Sequence, residues 1–327
     1  MSFDVILPFL RPIANLIEDP DVTEIMVNGG GAIFAERAGQ VVNVDGVQLT
    51  ERNLQVAVRN IARALGDDIS LEKPLLDSRM PDGSRVAAVL PPCSIGGTTL
   101  TIRKFQYRLF TTDELVRIGT LTAEVVAHVQ CAVERRENIL ISGGTSTGKT
   151  TLLNALADLL PGGDRLILIE DTAELRLNRP NIVRFEARRE QPGMPAVSIR
   201  DLLKATMRHR PDRILLGEVR GGEAFDLLMA LNTGHAGTLS TIHANSAEQA
   251  LSRFTSCVLQ SGVELPYAAI RHQIGDSVHL LLHLERRHGL RIVTELLRLK
   301  QYDSGHDRFQ LETLFSRDTN AAEAASV

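Results

Sequence analysis

Cysteine is scarce in this 327-residue chain. Cys93, Cys131 and Cys257 lie far apart and form no Cys-x-x-Cys pair, which excludes a disulfide framework and a four-cysteine zinc site, so no zinc is expected. Reduced, partly buried thiols are the expectation. Long hydrophobic runs are missing too: nothing approaches the roughly 18 apolar residues of a membrane span. The apolar stretch Val5 to Leu10 follows Asp4, contains Pro8 and is followed by Pro12; it lacks the basic start and the apolar centre of a signal peptide. A cytoplasmic location follows as an expectation. The formal net charge of −4 gives no global attraction to nucleic acid or to an anionic membrane, although a local basic patch stays open. There is no internal repeat and no low-complexity segment.

What is present is an ordinary globular composition, 43% apolar and 23% charged, in a chain long enough that two domains are the default. The first hundred or so residues read as a small α+β domain. Val5 to Ile17 is expected to be helical up to the turn Glu18-Asp19-Pro20-Asp21. Glu24 to Asn28 and Ala32 to Glu36 flank Gly29-Gly30-Gly31; a strand follows that triplet, so it reads as a hairpin turn rather than a phosphate loop. Gln55 to Leu65 has helical spacing. Arg85 to Leu90 and Thr99 to Arg103 read as strands around Pro91-Pro92. A domain boundary is expected between Lys104 and Thr112, with residues 1–106 before it and 107–317 after it. Leu121 to Arg135 reads as a helix. The runs beginning at Asn138, Arg165, Arg213 and Thr238 are short and almost continuously apolar, as in a parallel sheet covered on both faces, and helical stretches lie between them, which makes the second part α/β. Ser277 to Leu284 and Leu290 to Leu299 read as a hairpin turning at Arg286-Arg287-His288-Gly289; the tail from Asp318 to Val327 is small and polar and is expected to be disordered.

The most informative segment is Gly143-Gly144-Thr145-Ser146-Thr147-Gly148-Lys149-Thr150, followed by Thr151. It is a complete Gly-x-x-x-x-Gly-Lys-Thr phosphate-binding loop, set between a strand-like and a helix-like run as the motif requires. Backbone N–H groups and the helix N-terminus favour a phosphate there. Lys149 can reach the β- and γ-phosphates, and the Thr150 hydroxyl can hold Mg²⁺. Hydrolysis also needs a carboxylate for Mg²⁺ and a placed water, and in an open parallel sheet these belong at the carboxyl ends of the strands. Glu170 ends the run after the loop and is the candidate to orient and deprotonate water. Glu218 ends the run Ile214 to Leu216 after Gly217 and is the candidate for Mg²⁺, directly or through water. Either acid alone could be a solvated strand end. His243 ends the fourth run; contact with the γ-phosphate and a core histidine satisfied by backbone stand as equal alternatives. His235 lies in the loop Thr233 to Thr238. Arg79, Arg85, Arg103 and Arg108 are possible sources of a guanidinium for the γ-phosphate, with salt-bridged side chains as the default for most. No Asn-Lys-x-Asp segment for reading guanine occurs.

These boxes, in this order, resemble the ATPases of the type II and type IV secretion superfamily. The Walker A box is Gly143 to Thr151, the aspartate box Leu168 to Glu174, the Walker B box Arg213 to Arg220, and the histidine box Gly234 to Thr238 through Thr241 to Ala244. Glu18 to Ile25 and Thr101 to Phe105 resemble the first domain of the short conjugative-transfer and tight-adherence pilus members. The resemblance implies a RecA-like P-loop NTPase domain behind a smaller α+β (PAS-like) domain, and a homo-hexameric ring using ATP and Mg²⁺. ATP would lie between the two domains, with Arg85 and Arg103 the choices to close over the γ-phosphate. Glu170 would be the general base, Glu218 would support Mg²⁺, and His243 would couple to nucleotide. The implied work is pilus assembly or conjugative and secretory transfer, at the inner membrane, on a platform or channel protein. A nucleotide-gated DNA pump is the alternative; the acidic net charge and the absence of a clustered basic stripe argue against it, and no stable nucleic-acid binding is expected. The docking region of the longer members and the zinc module of others are not expected.

Overall fold

The computed structural model describes residues 6–80, 82–104, 109–188, 190, 194–287 and 289–317. Contacts divide the chain into Met1–Arg108 and Leu109–Val327. Residues 105–108, on which the expected boundary falls, lie outside the described residues, as do Arg108, His288 and the tail from 318.

In the first unit the expected N-terminal helix is broken. Leu7–Phe9 and Arg11–Ile13 are single 3₁₀ turns and only Ala14–Glu18 (α1) is α-helical. Pro8 and Pro12 cause this: each sits at the start of a turn, where its missing N–H is harmless, and neither can continue a helix begun before it. The strands are Val22–Val27 (β1), Ile33–Arg37 (β2), Gln40–Asn43 (β3), Leu75–Arg79 (β4), Arg85–Val89 (β5) and Thr99–Arg103 (β6), with helix Glu51–Ala64 (α2) between β3 and β4. They form one antiparallel sheet ordered β3-β2-β1-β6-β5-β4. One face, carrying Ile25, Val27, Val86, Ala88, Leu100 and Ile102, packs on Leu54, Val58 and Ile61 of α2. The Gly29-Gly30-Gly31 turn joins β1 to β2 as expected. Gly29 has a further reason to lack a side chain, since an added Cβ would lie 2.6 Å from the Gly96 backbone.

The second unit is the α/β body. Its elements are Thr112–Arg117 (α3), Ala123–Glu134 (α4), Ile139–Gly143 (β7), Lys149–Ala157 (α5), Leu166–Glu170 (β8), Ile182–Glu186 (β9), Ile199–Thr206 (α6), Arg213–Val219 (β10), Glu223–Asn232 (α7), Leu239–His243 (β11), Ala247–Leu259 (α8), Tyr267–Ser277 (α9), Leu280–Arg287 (β12), Leu290–Asp303 (β13) and Arg308–Ser316 (β14). The sheet runs β14-β13-β12-β7-β11-β10-β8-β9. The strands from β12 to β9 are parallel, while β13 and β14 return antiparallel. Side chains along each central strand alternate between two cores. Ile139, Ile141, Leu168, Leu215 and Leu282 pack with α4 and α5; Leu140, Ile167, Ile169, Ile214, Leu216 and Leu281 pack with α6, α7, α8 and α9. This double burial is why the strands read as continuous apolar runs. Thr122 and Ser198 cap α4 and α6 by accepting from backbone N–H groups three residues on. Arg286 and Arg287 belong to β12, so that strand runs further than expected.

Candidate functional site

The phosphate loop leaves β7 at Gly143, and its glycines are required by conformation. Gly148, with φ +95°, is the left-handed N-cap of α5, and Gly143 has φ +159° with Leu284 O and Thr147 Oγ1 where a Cβ would stand. Thr147 Oγ1 donates to Gly144 O at 2.9 Å. Lys149 is buried, and its Nζ donates to Gly143 O at 3.0 Å and Gly144 O at 2.8 Å. The ammonium thus lies within its own loop on two carbonyls. Burial pulls its pKa down, opposed by the charge of Glu218. A phosphate offers the ammonium a stronger, charged acceptor in place of those neutral carbonyls.

Parallel strand direction brings the other strand ends to the same edge of the sheet as this loop. His243 is level with Gly143 across β11 and β7 and is exposed, so of its two readings the core histidine falls away. His235, at the other end of β11, approaches Ala230 O through Nδ1 at 3.3 Å. The histidine box therefore spans a whole strand and contributes at its two opposite ends. Its first part is pinned by Asn138, whose Oδ1 accepts from Gly237 N at 2.8 Å and Thr238 N at 2.9 Å.

Glu170 ends β8 and is 3% exposed. Its Oε1 accepts backbone N–H bonds from Glu174 and Leu175, both at 2.9 Å. Burial nevertheless dominates and pushes the carboxyl up to about 7, with the two backbone bonds opposing the rise. Arg184 supports the loop that supplies those N–H groups, donating to Leu175 O and Leu177 O at 3.0 and 2.6 Å. Gly217 opens the space beside the acid: an added Cβ would stand 3.1 Å from Glu170 Cγ. Glu218 follows on β10, partly exposed, its Oε2 2.7 Å from Arg220 Nε. The same guanidinium reaches Asp171 Oδ2 at 2.9 Å, so Arg220 joins the ends of β8 and β10. Arg220 lies one residue beyond β10, and its place two positions after Glu218 was the available signal for it. Thr150 and Thr151 open α5 behind Lys149.

The arginines expected from the first unit fall in one row. Arg79 is opposite Arg85, Arg85 opposite Arg103, and Arg103 opposite Glu24. Glu24 is pushed up by burial while Arg103 pulls it down.

A glycine-loop lysine, a threonine hydroxyl and two carboxylates at neighbouring parallel strand ends define a P-loop NTPase with a RecA-like domain. A family model described as "Type II/IV secretion system protein" matches residues 10–300. The conjugal transfer protein TrbB of Rhizobium radiobacter is 36% identical over 310 residues, covering 94% of this chain and 92% of the relative. The type IV secretion system protein PtlH of Bordetella pertussis is 37% identical over 314 residues, covering 88% and 91%. The Legionella pneumophila ATPase DotB shares the fold with a TM-score of 0.63 at 18% identity, over 92% of this chain and 82% of that one. The chain belongs to the type II/IV secretion system protein family, and that membership implies ATPase activity.

Proposed function

We propose that this protein is a Mg²⁺-dependent ATPase that assembles as a homo-hexameric ring and turns hydrolysis into domain motion for pilus assembly or conjugative and secretory transfer. The observation that carries the hydrolytic part is the buried carboxylate of Glu170 at the carboxyl end of β8, one oxygen fixed by two backbone N–H groups and its pKa raised by burial. A base poised near neutral pH can take a proton from water and return it.

In this reading Lys149 and the loop N–H groups bind the β- and γ-phosphates. The site fits Mg²⁺, a hard cation that takes oxygen ligands: Thr150 supplies a hydroxyl at the start of α5 and Glu218 a carboxylate at the end of β10. Once bound, the metal neutralises charge on the phosphate oxygens. Glu170 holds the attacking water through its free oxygen, because Oε1 is already fixed by Glu174 N and Leu175 N. Arg220 orients Glu218 and Asp171. His243, exposed level with Gly143, is the group we assign to sensing the γ-phosphate. Arg85 and Arg103 are the guanidiniums we assign to its charge.

The conjugal transfer and type IV secretion relatives support transfer through an envelope machine as the work done. The partner would be an inner-membrane platform or a secretion-channel protein. No helix among the described residues is long and apolar enough to cross a membrane. We place the chain on the cytoplasmic face of the inner membrane, attached peripherally through that partner. The test is phosphate release by the purified chain with Mg²⁺ and ATP, alongside Lys149→Ala, with mass measured under native conditions. A chain that releases no phosphate, or stays monomeric with ATP bound, contradicts the corresponding half of the reading.

A further inference from the structure

The β12–β13 hairpin runs past the phosphate loop. Leu284 is level with Gly143, where β7 ends, so Glu285 to Arg287 extend beyond it, with Leu290 to Ile292 returning alongside. This brings a second basic element to the site. Arg287 is neutralised by Glu285, Nε to Oε2 at 2.7 Å. Arg291 is different. Its Nε donates to Ser146 O at 3.1 Å. Its stem lies against Gly148, where an added Cβ would come within 3.1 Å of Arg291 Cδ. Among the described residues no ion pair compensates it.

We propose that Arg291 is a nucleotide-binding residue that holds the polyphosphate of ATP and of ADP from the side of the loop facing away from the two acids. The proposal rests on the ATPase reading of the same site. Sheet order supplies the geometry: β12 and β13 flank β7 on one side, and β11, β10 and β8 lie on the other. Glu170 and Glu218 stand on the second side and serve the γ end. A cation on the first side serves the phosphates that remain after hydrolysis, so ATP and ADP gain alike. The contact with Ser146 also presets the loop. Across a trans peptide the N–H of Thr147 points opposite to the Ser146 carbonyl, so a guanidinium fixing one fixes the other. Only one of the five guanidinium N–H groups is used in this contact, which leaves donors for phosphate oxygens. Arginine suits the position because its planar fork matches those oxygens.

The test uses the full chain with Arg291→Ala and Arg291→Gln, a fluorescent ADP titration, and steady-state ATP hydrolysis. Both variants should bind ADP about tenfold more weakly, the worth of one charge-assisted hydrogen bond. KM for ATP should rise by a similar factor while kcat changes much less, because the interaction is made equally in ground and transition states. Glutamine should do no better than alanine, since it restores the N–H but not the charge. ADP affinity within twofold of the unaltered chain in both variants overturns the proposal, and so does full rescue by glutamine. Failure of the unaltered chain to bind ADP removes the ATPase reading itself, and the proposal with it.

Discussion

Arg220 Nε sits 2.7 Å from Glu218 Oε2, and the same guanidinium sits 2.9 Å from Asp171 Oδ2. The carboxylate proposed to support Mg²⁺ is therefore shared with an arginine. The guanidinium is more than half exposed and the carboxylate partly so, so the pair adds little to stability. Its effect is on metal binding: Arg220 and Mg²⁺ compete for one carboxylate. Arg220→Gln is expected to lower the Mg²⁺ concentration giving half-maximal ATPase by about threefold, within the range of an exposed ion pair, and to reduce kcat because Glu218 and Asp171 are no longer tied together. A Mg²⁺ titration of phosphate release checks both effects.

Glu170 makes the pH dependence specific. Its pKa in the fold is about 7, against an ordinary value of 4.5. A base must be ionised to act, so kcat/KM should fall below about pH 7 and level off above it. The stability consequence has the opposite sign. A carboxyl raised by burial holds its proton longer in the folded state, so its contribution is fully present below pH 4.5 and is lost as pH rises towards 7. Glu170→Gln should therefore gain stability relative to the unaltered chain on going from pH 5 to pH 8. Denaturant midpoints at the two pH values measure it.

Gly217 is the glycine to test for positioning. A methyl group there would stand 3.1 Å from Glu170 Cγ, and the side chain can yield only by moving the carboxyl. Gly217→Ala is expected to lower kcat about tenfold, as a misplaced base does, with a much smaller shift in melting temperature. An unchanged kcat would show that the space beside Glu170 is not used to place it.

Gly237 tests the opposite end of the sheet. It has φ +84°, and a Cβ there would overlap the guanidinium of Arg213. Arg213 is 1% exposed and is held by Asp164 Oδ2 at 2.5 Å and Val133 O at 3.0 Å, so it has nowhere to go. Gly237→Ala should destabilise by about 2–4 kcal/mol, combining backbone strain with displacement of a buried ion pair. Thermal or chemical denaturation reads this directly.

Much of the second unit was legible because each central strand is buried on both faces and two of them, β8 and β10, carry a glutamate at or near their carboxyl ends. The glycine loop, Glu170, Glu218 and His243 could be placed by combining apolar runs with the rule that ligands sit at the carboxyl ends of parallel strands. Other features depend on partners far away in sequence. Ile182–Glu186 and Arg308–Ser316 carry only a short alternation of apolar and polar residues in place of a continuous apolar run, because both lie at sheet edges and pair on one side only. Arg291 depends on the register of β12 and β13, which a string of residues does not display. The separation of His235 from His243 followed from strand direction and could have been deduced. The broken helix at Leu7 to Ile13 was also readable, since Pro8 and Pro12 restrict the turns they begin.

In the proposed mechanism Glu170 is the base of an ATP-hydrolysing centre built on the Lys149 loop. The most direct measurement is single-turnover hydrolysis by Glu170→Gln, with ATP binding measured in parallel. The amide keeps an oxygen to accept from Glu174 N and Leu175 N but cannot take a proton. The variant should bind ATP with near-normal affinity and cleave it at least about a hundredfold more slowly. Cleavage at the normal rate would show that Glu170 is not the base.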